Sequence, residues 1–202
     1  MRTLPPVPAL AAVLAAAAML AGCGSDAPRP DAMGPDRVST STSSDVDALP
    51  PCPEVPRVQP RADGLPDDEL GCLGAGPAVR LSDLRGTPMV LNIWAAWCTT
   101  CDREMPILSS VQERAGDRLR FFGVHYKAPR AFGLRSAADF GVTFPSVHDE
   151  DGDLIALALR ATAPPQTLFV TADGRIAGRK IGEIRSTDEL AALVEQHLGV
   201  SV

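Results

Sequence analysis

The chain has 202 residues, 45% of them hydrophobic, which is enough for one domain with a substantial core plus appendages and argues against two catalytic domains. Its formal net charge is −6, with 25 acids against 19 Lys and Arg and no basic tract. That balance speaks against nucleic-acid binding. No segment repeats at a fixed period.

Ala9 to Ala21 is an unbroken apolar run, as long as a signal-peptide core and short for a bilayer span. Arg2 is the only charge before Asp26. The run ends in Leu20-Ala21-Gly22-Cys23, which resembles a bacterial lipoprotein cleavage site. On that reading residues 1–22 are removed and Cys23 is diacylated. The protein is then held on the outer side of a bacterial cell membrane, since several acyl chains anchor stably where one does not. The alternative is an ordinary secretory signal with an incidental cysteine. Cleavage removes Arg2 and no acid, so the charge becomes −7. Residues 23–51 then read as the lipidated cysteine and a disordered linker. Asp, Pro, Ser and Thr dominate it, and such a segment cannot bury enough surface to offset its ordering entropy. Its reach is about 30 Å.

Five cysteines remain to be apportioned. Cys23 belongs to the anchor, and Cys98 and Cys101 form C-x-x-C. Cys52 and Cys72 are left as one pair, and exported proteins live where disulfides persist. They are expected to form a structural bridge within the Pro-rich approach segment 52–78. Closing a loop of about 20 residues is worth ~3 kcal/mol in the loop-entropy picture. The alternatives are a resolving pair that exchanges with Cys98 and Cys101, or a zinc site using both pairs. The second suffers because Cys52 and Cys72 are not closely spaced and the three histidines are scattered.

The globular domain is expected over residues 79–202. Val79 to Leu81 reads as a short strand and Ser82 to Gly86 as a helical turn. Pro88 to Ala95 is nearly all apolar, as in a central strand buried on both faces, with Asn92 its one polar residue. A helix starts at the C-x-x-C; Met105, Leu108 and Val111-Gln112 mark its inner face, and Pro106 should kink it. Leu119 to Tyr126 is a second central strand. Residues 130–140 suggest a helix packed through Ala131, Leu134, Ala138 and Phe140. Phe144 to Val147 is a short strand, and Leu154 to Leu159 a helical stretch. Thr167 to Thr171, the turn Ala172-Asp173-Gly174 and Arg175 to Ile181 make a hairpin. Ser186-x-x-Glu189 is a capping box opening a last helix with Leu190, Leu193, Val194 and Leu198 on one side. Strands alternating with helices and closing in a hairpin plus helix give an α/β fold, a mixed central sheet flanked by helices on both faces.

A bare C-x-x-C is a weak signal, but here it follows an apolar strand and a tryptophan, and it opens a helix. Free N–H groups and the positive end of the helix dipole at that point stabilise a thiolate on Cys98, the attacking species. Cys101, one turn on, is placed to attack a mixed disulfide and release the product. The alternative is a buried structural disulfide of the same spacing.

Residues 90–106, VLNIWAAWCTTCDREMP, resemble the active-site stretch of bacterial thioredoxin-like proteins of the TlpA/ResA class and of the DsbE/CcmG cytochrome c maturation reductases. The resemblance covers roughly Val79 to Leu198. Val124-His125-Tyr126-Lys127 resembles a further stretch of the maturation reductases, and Pro164 to Val170 resembles the proline loop that faces the cysteines. The resemblance implies a thioredoxin fold with Cys98 and Cys101 as the redox pair and Glu104 as an acid relaying protons to or from Cys101. It puts a cis-proline at Pro165, with the backbone at Pro164 and the rim at Trp97 meeting substrate. Asn92 stands where cytosolic thioredoxins carry a buried acid, so the acid role falls to Glu104. Otherwise Glu104 is a solvated acid in a helix's first turn. Trp94 is expected in the core and His125 as a satisfied core or rim histidine. Thr100 stands where a proline is common, and His125 and Ala128 depart from the maturation-reductase pattern.

The activity implied is a thiol–disulfide oxidoreductase acting on protein disulfides, apocytochrome c cysteines being the most specific substrate suggested. It needs no cofactor but does need a membrane protein as electron donor. The alternatives are an oxidase that introduces disulfides and a redox-inert interaction lipoprotein on the same fold.

Overall fold

The structure is a computed structural model and describes residues 49–157, 159–161 and 163–202. The expected signal peptide, Cys23 and most of the expected linker lie outside the described residues. Leu49, near the end of that linker, is buried in the same cluster as Leu108 and Phe144.

The apolar run after Pro88 forms the central strand β3 (Met89–Trp94), buried along its whole length. A strand shielded on both faces needs partners on both edges. On one side β4 (Arg120–Tyr126) pairs with it in parallel and β5 (Ser146–Asp149) follows, also parallel. On the other side β6 (Gln166–Val170) pairs antiparallel and β7 (Ile176–Ile181) closes the hairpin, giving the order β5-β4-β3-β6-β7. The turn at Ala172-Asp173-Gly174 is as expected, with the Gly174 N–H donating to the Thr171 carbonyl at 2.8 Å.

Parallel neighbours require crossovers. Helix α1 (Thr99–Ala115) joins β3 to β4, and helix α2 (Arg130–Asp139) joins β4 to β5. Two right-handed crossovers moving the same way across a sheet lie on the same face. Helix α4 (Thr187–Leu198) packs on that face too, through Leu190 and Val194. Val90 and Trp94 of β3 point into this cluster, while Met89, Leu91 and Ile93 point to the other. Each of these fully buried side chains contributes about 1.5–3 kcal/mol. Among the described residues the second face carries the short helix α3 (Asp153–Leu157), a 3-10 turn at Leu81–Asp83 and the approach segment.

That segment is stapled. Cys52 and Cys72 are disulfide-bonded across a separation of 20 residues. The Cys52 N–H donates to the Ala75 carbonyl at 2.9 Å. Gly76, at φ +111, passes so close that a Cβ would lie 2.8 Å from the Cys52 backbone. Cys72 forms a β-bridge with Val147, and Leu73 donates to the Ser146 carbonyl at 2.7 Å. The stapled chain thereby covers the outer edge of β5, which would otherwise be open to strand addition.

Several local expectations shift. A two-residue strand β1 (Glu69–Leu70) pairs with β2 (Val79–Arg80), and nothing in the sequence marks it. Helix α2 packs through Gly133, Leu134 and Ala137, and Ala138 is exposed. Two alanines flanking a leucine do not define a stripe, so the tertiary contact chose the face. Helix α1 is assigned without a break across Pro106. At α4 the Ser186 Oγ accepts from the Glu189 N–H as a capping box requires, but Glu189 accepts in return from the Arg185 N–H, one residue earlier than the pattern implies.

Candidate active site

Cys98 is the N-cap of α1. Its backbone is extended (φ −93, ψ 98), and its Sγ accepts from the Cys101 N–H at 3.1 Å. Cys98 and Cys101 are joined as a disulfide. Neither stands proud of the surface: Cys98 is 5% exposed and Cys101 wholly covered. Cys98 is the residue of the pair with any exposed surface. When the bond is reduced, the amide at 3.1 Å and the helix dipole favour a thiolate on Cys98.

Glu104 lies in the second turn of α1, not the first, and is fully buried. A solvated first-turn acid is therefore excluded. Positions i and i+3 on a helix face the same way, with Cβ atoms about 5–6 Å apart, so Glu104 shares its side of α1 with Cys101. Its Oε1 accepts from the Asn92 amide at 2.8 Å, and its Oε2 accepts from the Ile184 N–H at 3.1 Å. Burial pushes its pKa up to about 7, against the pull of those two donors, and the charges of Glu183 and Glu189 add to the rise. A buried carboxyl titrating near neutrality beside a cysteine can take or give a proton. Asn92 also donates to Thr167 Oγ1 at 3.2 Å, tying β3, β6 and α1 into one polar chain.

The Pro164-Pro165 peptide is cis. Gln166, next along, pairs with Ile93, so Pro165 sits at the end of the sheet where α1 begins. Pro165 is buried and its carbonyl accepts from the Gly182 N–H at 3.0 Å, whereas Pro164 is half-buried. Trp97 is 55% exposed, and its indole N–H donates to the Lys127 carbonyl at 3.0 Å. With Ala96, Pro129 and the exposed Phe132 it lines an open groove of about 410 Å³, which has no cysteine in its lining. A larger groove, about 960 Å³, runs past Pro51, Pro106 and Thr143 and contains none of the cysteines.

Trp94 is in the core as expected. His125 is also in the core, but it is not satisfied. It is fully buried, and neither ring nitrogen meets a hydrogen-bond partner. Burial lowers its pKa to about 3, with His148 on the next strand adding to the effect. Such a ring is neutral near pH 7 and packs as an aromatic, with centroids 4.8 Å from Trp94 and 5.3 Å from His148.

Cys52–Cys72 and Cys98–Cys101 are two separate disulfides whose cysteines lie in different clusters. Among the described residues no group of three or more His, Cys, Asp or Glu is placed to hold a metal ion. No helix among them is long and apolar enough to cross a membrane. The Ile184 amide and Thr167 were not anticipated as site partners. A backbone donor has no sequence signature, and only the strand register brings Thr167 opposite Asn92.

A dithiol motif capping the helix after the central strand, with a cis-proline on the antiparallel neighbour, is the arrangement of a thioredoxin-fold redox protein. Comparison with known proteins agrees. Residues 60–195 match the Redoxin family, and the chain belongs to it. It is 36% identical to the thiol:disulfide interchange protein DsbE of Pseudomonas fluorescens biotype C over 115 residues, 55% of this chain and 62% of that one. It is 30% identical to the thiol-disulfide oxidoreductase ResA of Geobacillus kaustophilus over 122 residues, 59% of this chain and 66% of that one. The chain thus spans somewhat less than two thirds of the length of these two curated relatives. Among solved structures, a secreted Mycobacterium tuberculosis disulfide oxidoreductase homologous to E. coli DsbE superposes with a TM-score of 0.56. It shares 26% identity, over 64% of this chain and 96% of that one.

Proposed function

We propose that this chain is an extracytoplasmic thiol–disulfide oxidoreductase that reduces disulfides in other proteins. The observation that carries the reading is the pairing of a helix-capping Cys98, the partly exposed member of the pair, with a covered Cys101 that shares its side of α1 with a buried acid titrating near neutrality. In the reduced protein the Cys98 thiolate attacks one sulfur of a substrate disulfide and expels the other as a thiolate, forming a mixed disulfide. Glu104 takes the Cys101 proton, and the Cys101 thiolate attacks Cys98 Sγ. The substrate's second sulfur leaves as a thiolate, and the Cys98–Cys101 bond closes. The substrate gains two electrons and this chain loses two, so a dithiol donor must reduce it again.

Trp97 and Pro164 meet the substrate chain, with the buried cis-proline Pro165 holding the loop behind Pro164. The names of the relatives support thiol–disulfide exchange of the DsbE and ResA kind, and the resemblance of residues 90–106 to the maturation reductases points to an apocytochrome c disulfide as the substrate. The Leu20-to-Cys23 motif supports removal of residues 1–22, lipidation at Cys23 and a tether ending where Leu49 packs. A membrane protein is then the natural donor. Cys52–Cys72 is the structural bridge of the approach segment.

The test is a pair of variants assayed on a protein disulfide. Cys98→Ser is expected to abolish exchange, and Cys101→Ser to accumulate a mixed disulfide through Cys98. Full insulin-reduction activity in Cys98→Ser overturns the assignment.

A further inference from the structure

Glu104 is served from outside its own helix by a loop whose position is itself fixed by ion pairs. The loop joins β7 to α4 and contains Gly182, Glu183, Ile184 and Arg185. Arg103 and Glu104 are neighbours on α1, and Glu183 and Ile184 are neighbours on the loop. The two pairs meet rung by rung. On the outside, Arg103 Nε donates to Glu183 Oε1 at 2.8 Å and Nη2 donates to Oε2 at 3.0 Å. On the inside, the Ile184 N–H donates to Glu104 Oε2 at 3.1 Å. The outer pair is the planar, two-bond match that arginine makes with a carboxylate and lysine cannot. It is also not fully wet: the Glu183 side chain retains 17% of its surface.

We propose that Arg103 is a positioning residue, whose two-bond clamp on Glu183 holds the loop against α1 and so keeps the Ile184 N–H on the Glu104 carboxylate.

The clamp and its absence differ in a direction that can be worked out. The groups facing Glu104 are the Asn92 amide from β3, the Ile184 N–H and the Glu183 charge from the loop, and Glu189 from α4. Glu189 is itself paired with Lys180 of β7 at 2.7 Å and accepts from the Arg185 N–H, so the far end of the loop is held separately. The near end is also tied by the Gly182 N–H on the Pro165 carbonyl at 3.0 Å and by the buried Ile184 side chain, so without Arg103 the segment between these anchors loosens and the Ile184 N–H bond to Glu104 weakens. At the same time Glu183 keeps its charge but loses its bonded counter-ion, with the weaker pull of Arg185 left. A weakened donor to the anion and a less balanced neighbouring anion both favour the protonated acid. The two effects add, and Glu104 holds its proton to higher pH.

The clamp matters for exchange only through the role proposed above for Glu104 in resolution, so the test reads the carboxyl directly, in the full oxidised chain. Carboxyl carbon titration by NMR follows Glu104, assigned by the signal lost in Glu104→Gln, and the Ile184 amide is followed by its shift and hydrogen exchange. Arg103→Ala is expected to raise the Glu104 midpoint by about one pH unit, a tenfold change in proton affinity, and to speed Ile184 exchange by about tenfold or more. Arg103→Lys keeps the charge without the fork, and is expected to recover less than half of either effect. An unchanged midpoint and amide in Arg103→Ala overturn the proposal. So does full recovery by lysine, which makes Arg103 a charge and not a clamp. If the midpoint moves as expected while the rate of mixed-disulfide resolution does not, the clamp stands and the role of Glu104 in resolution falls.

Discussion

The Asn92 side-chain amide donates to Glu104 Oε1 at 2.8 Å, tying the middle of the central strand to the second turn of the helix that carries both active-site cysteines. Asn92 supplies one of the two donors that hold the Glu104 anion. Replacing it with Leu removes the donor and adds apolar surface, and both favour the neutral acid. The pH profile of mixed-disulfide resolution is expected to move to higher pH in Asn92→Leu, by about one unit for the loss of a hydrogen bond to a charged group. Stopped-flow resolution rates between pH 6 and 9 check this, and an unshifted profile removes Asn92 from the proton chemistry.

The same burial makes Glu104 a liability for stability. Its carboxyl titrates near 7 in the fold against an ordinary value of 4.5. Between those values the folded protein keeps a proton that the unfolded chain has released, so stability falls as pH rises through this window. The contribution is complete below about pH 4.5 and lost by about pH 7. Glu104→Gln is therefore expected to gain stability over the natural chain as pH rises from 5 to 8, by up to ~3 kcal/mol, while slowing resolution. Urea unfolding at the two pH values tests it; equal differences at pH 5 and 8 count against a raised Glu104.

His125 works on the acid side with the opposite sign. Its proton affinity is lowered in the fold, from an ordinary value of 6.5 to about 3. As pH falls below 6.5 the unfolded chain binds a proton that the folded protein refuses, and stability drops by about 1.4 kcal/mol per unit until about pH 3. Between pH 4.5 and 6.5 this loss opposes the Glu104 term. A flat stability profile is expected there, with a fall on the acid side. Replacing His125 with Leu should remove its part of the acid fall, as measured by urea unfolding between pH 3 and 5. A fall of unchanged steepness in the variant assigns it elsewhere.

How tightly helix α2 closes over His125 can be read from Gly133. A Cβ there would lie 2.7–2.9 Å from three atoms of the imidazole. In an ordinary helix interior Gly→Ala gains about 1 kcal/mol. Here Gly133→Ala is expected to destabilise instead, by about 1–3 kcal/mol, the usual cost of overpacking. Adding His125→Ala should return part of that cost. A double-mutant cycle by denaturant unfolding measures the coupling, and additive effects show that the helix simply moves away.

What could be read from the sequence was whatever repeats along the chain or is fixed by neighbours. The apolar run at β3, the dithiol at the start of α1, the hairpin turn at Asp173-Gly174 and the Ser186 cap are all local patterns. The burial of Glu104 was not legible, because it is made by Ile184, 80 residues away, and by Asn92 on another element. Of the residues expected on the packed side of α2, Leu134 and Phe140 do pack on the core, and Ala138 faces out because a short alanine-rich helix carries no clear stripe. His125 looked like a residue that must find a hydrogen bond. Instead a row of rings, Trp94, His125 and His148 on three adjacent strands, accommodates it uncharged.

The two disulfides sit in different clusters and hold very different lengths of chain. Cys98–Cys101 spans three residues at the start of one helix, whereas Cys52–Cys72 spans 20 and ties the approach segment along the edge of β5. Opening the first frees almost no chain; opening the second frees a loop. Cycling the first bond therefore leaves the fold closed, whereas loss of the second loosens the cover over a strand edge.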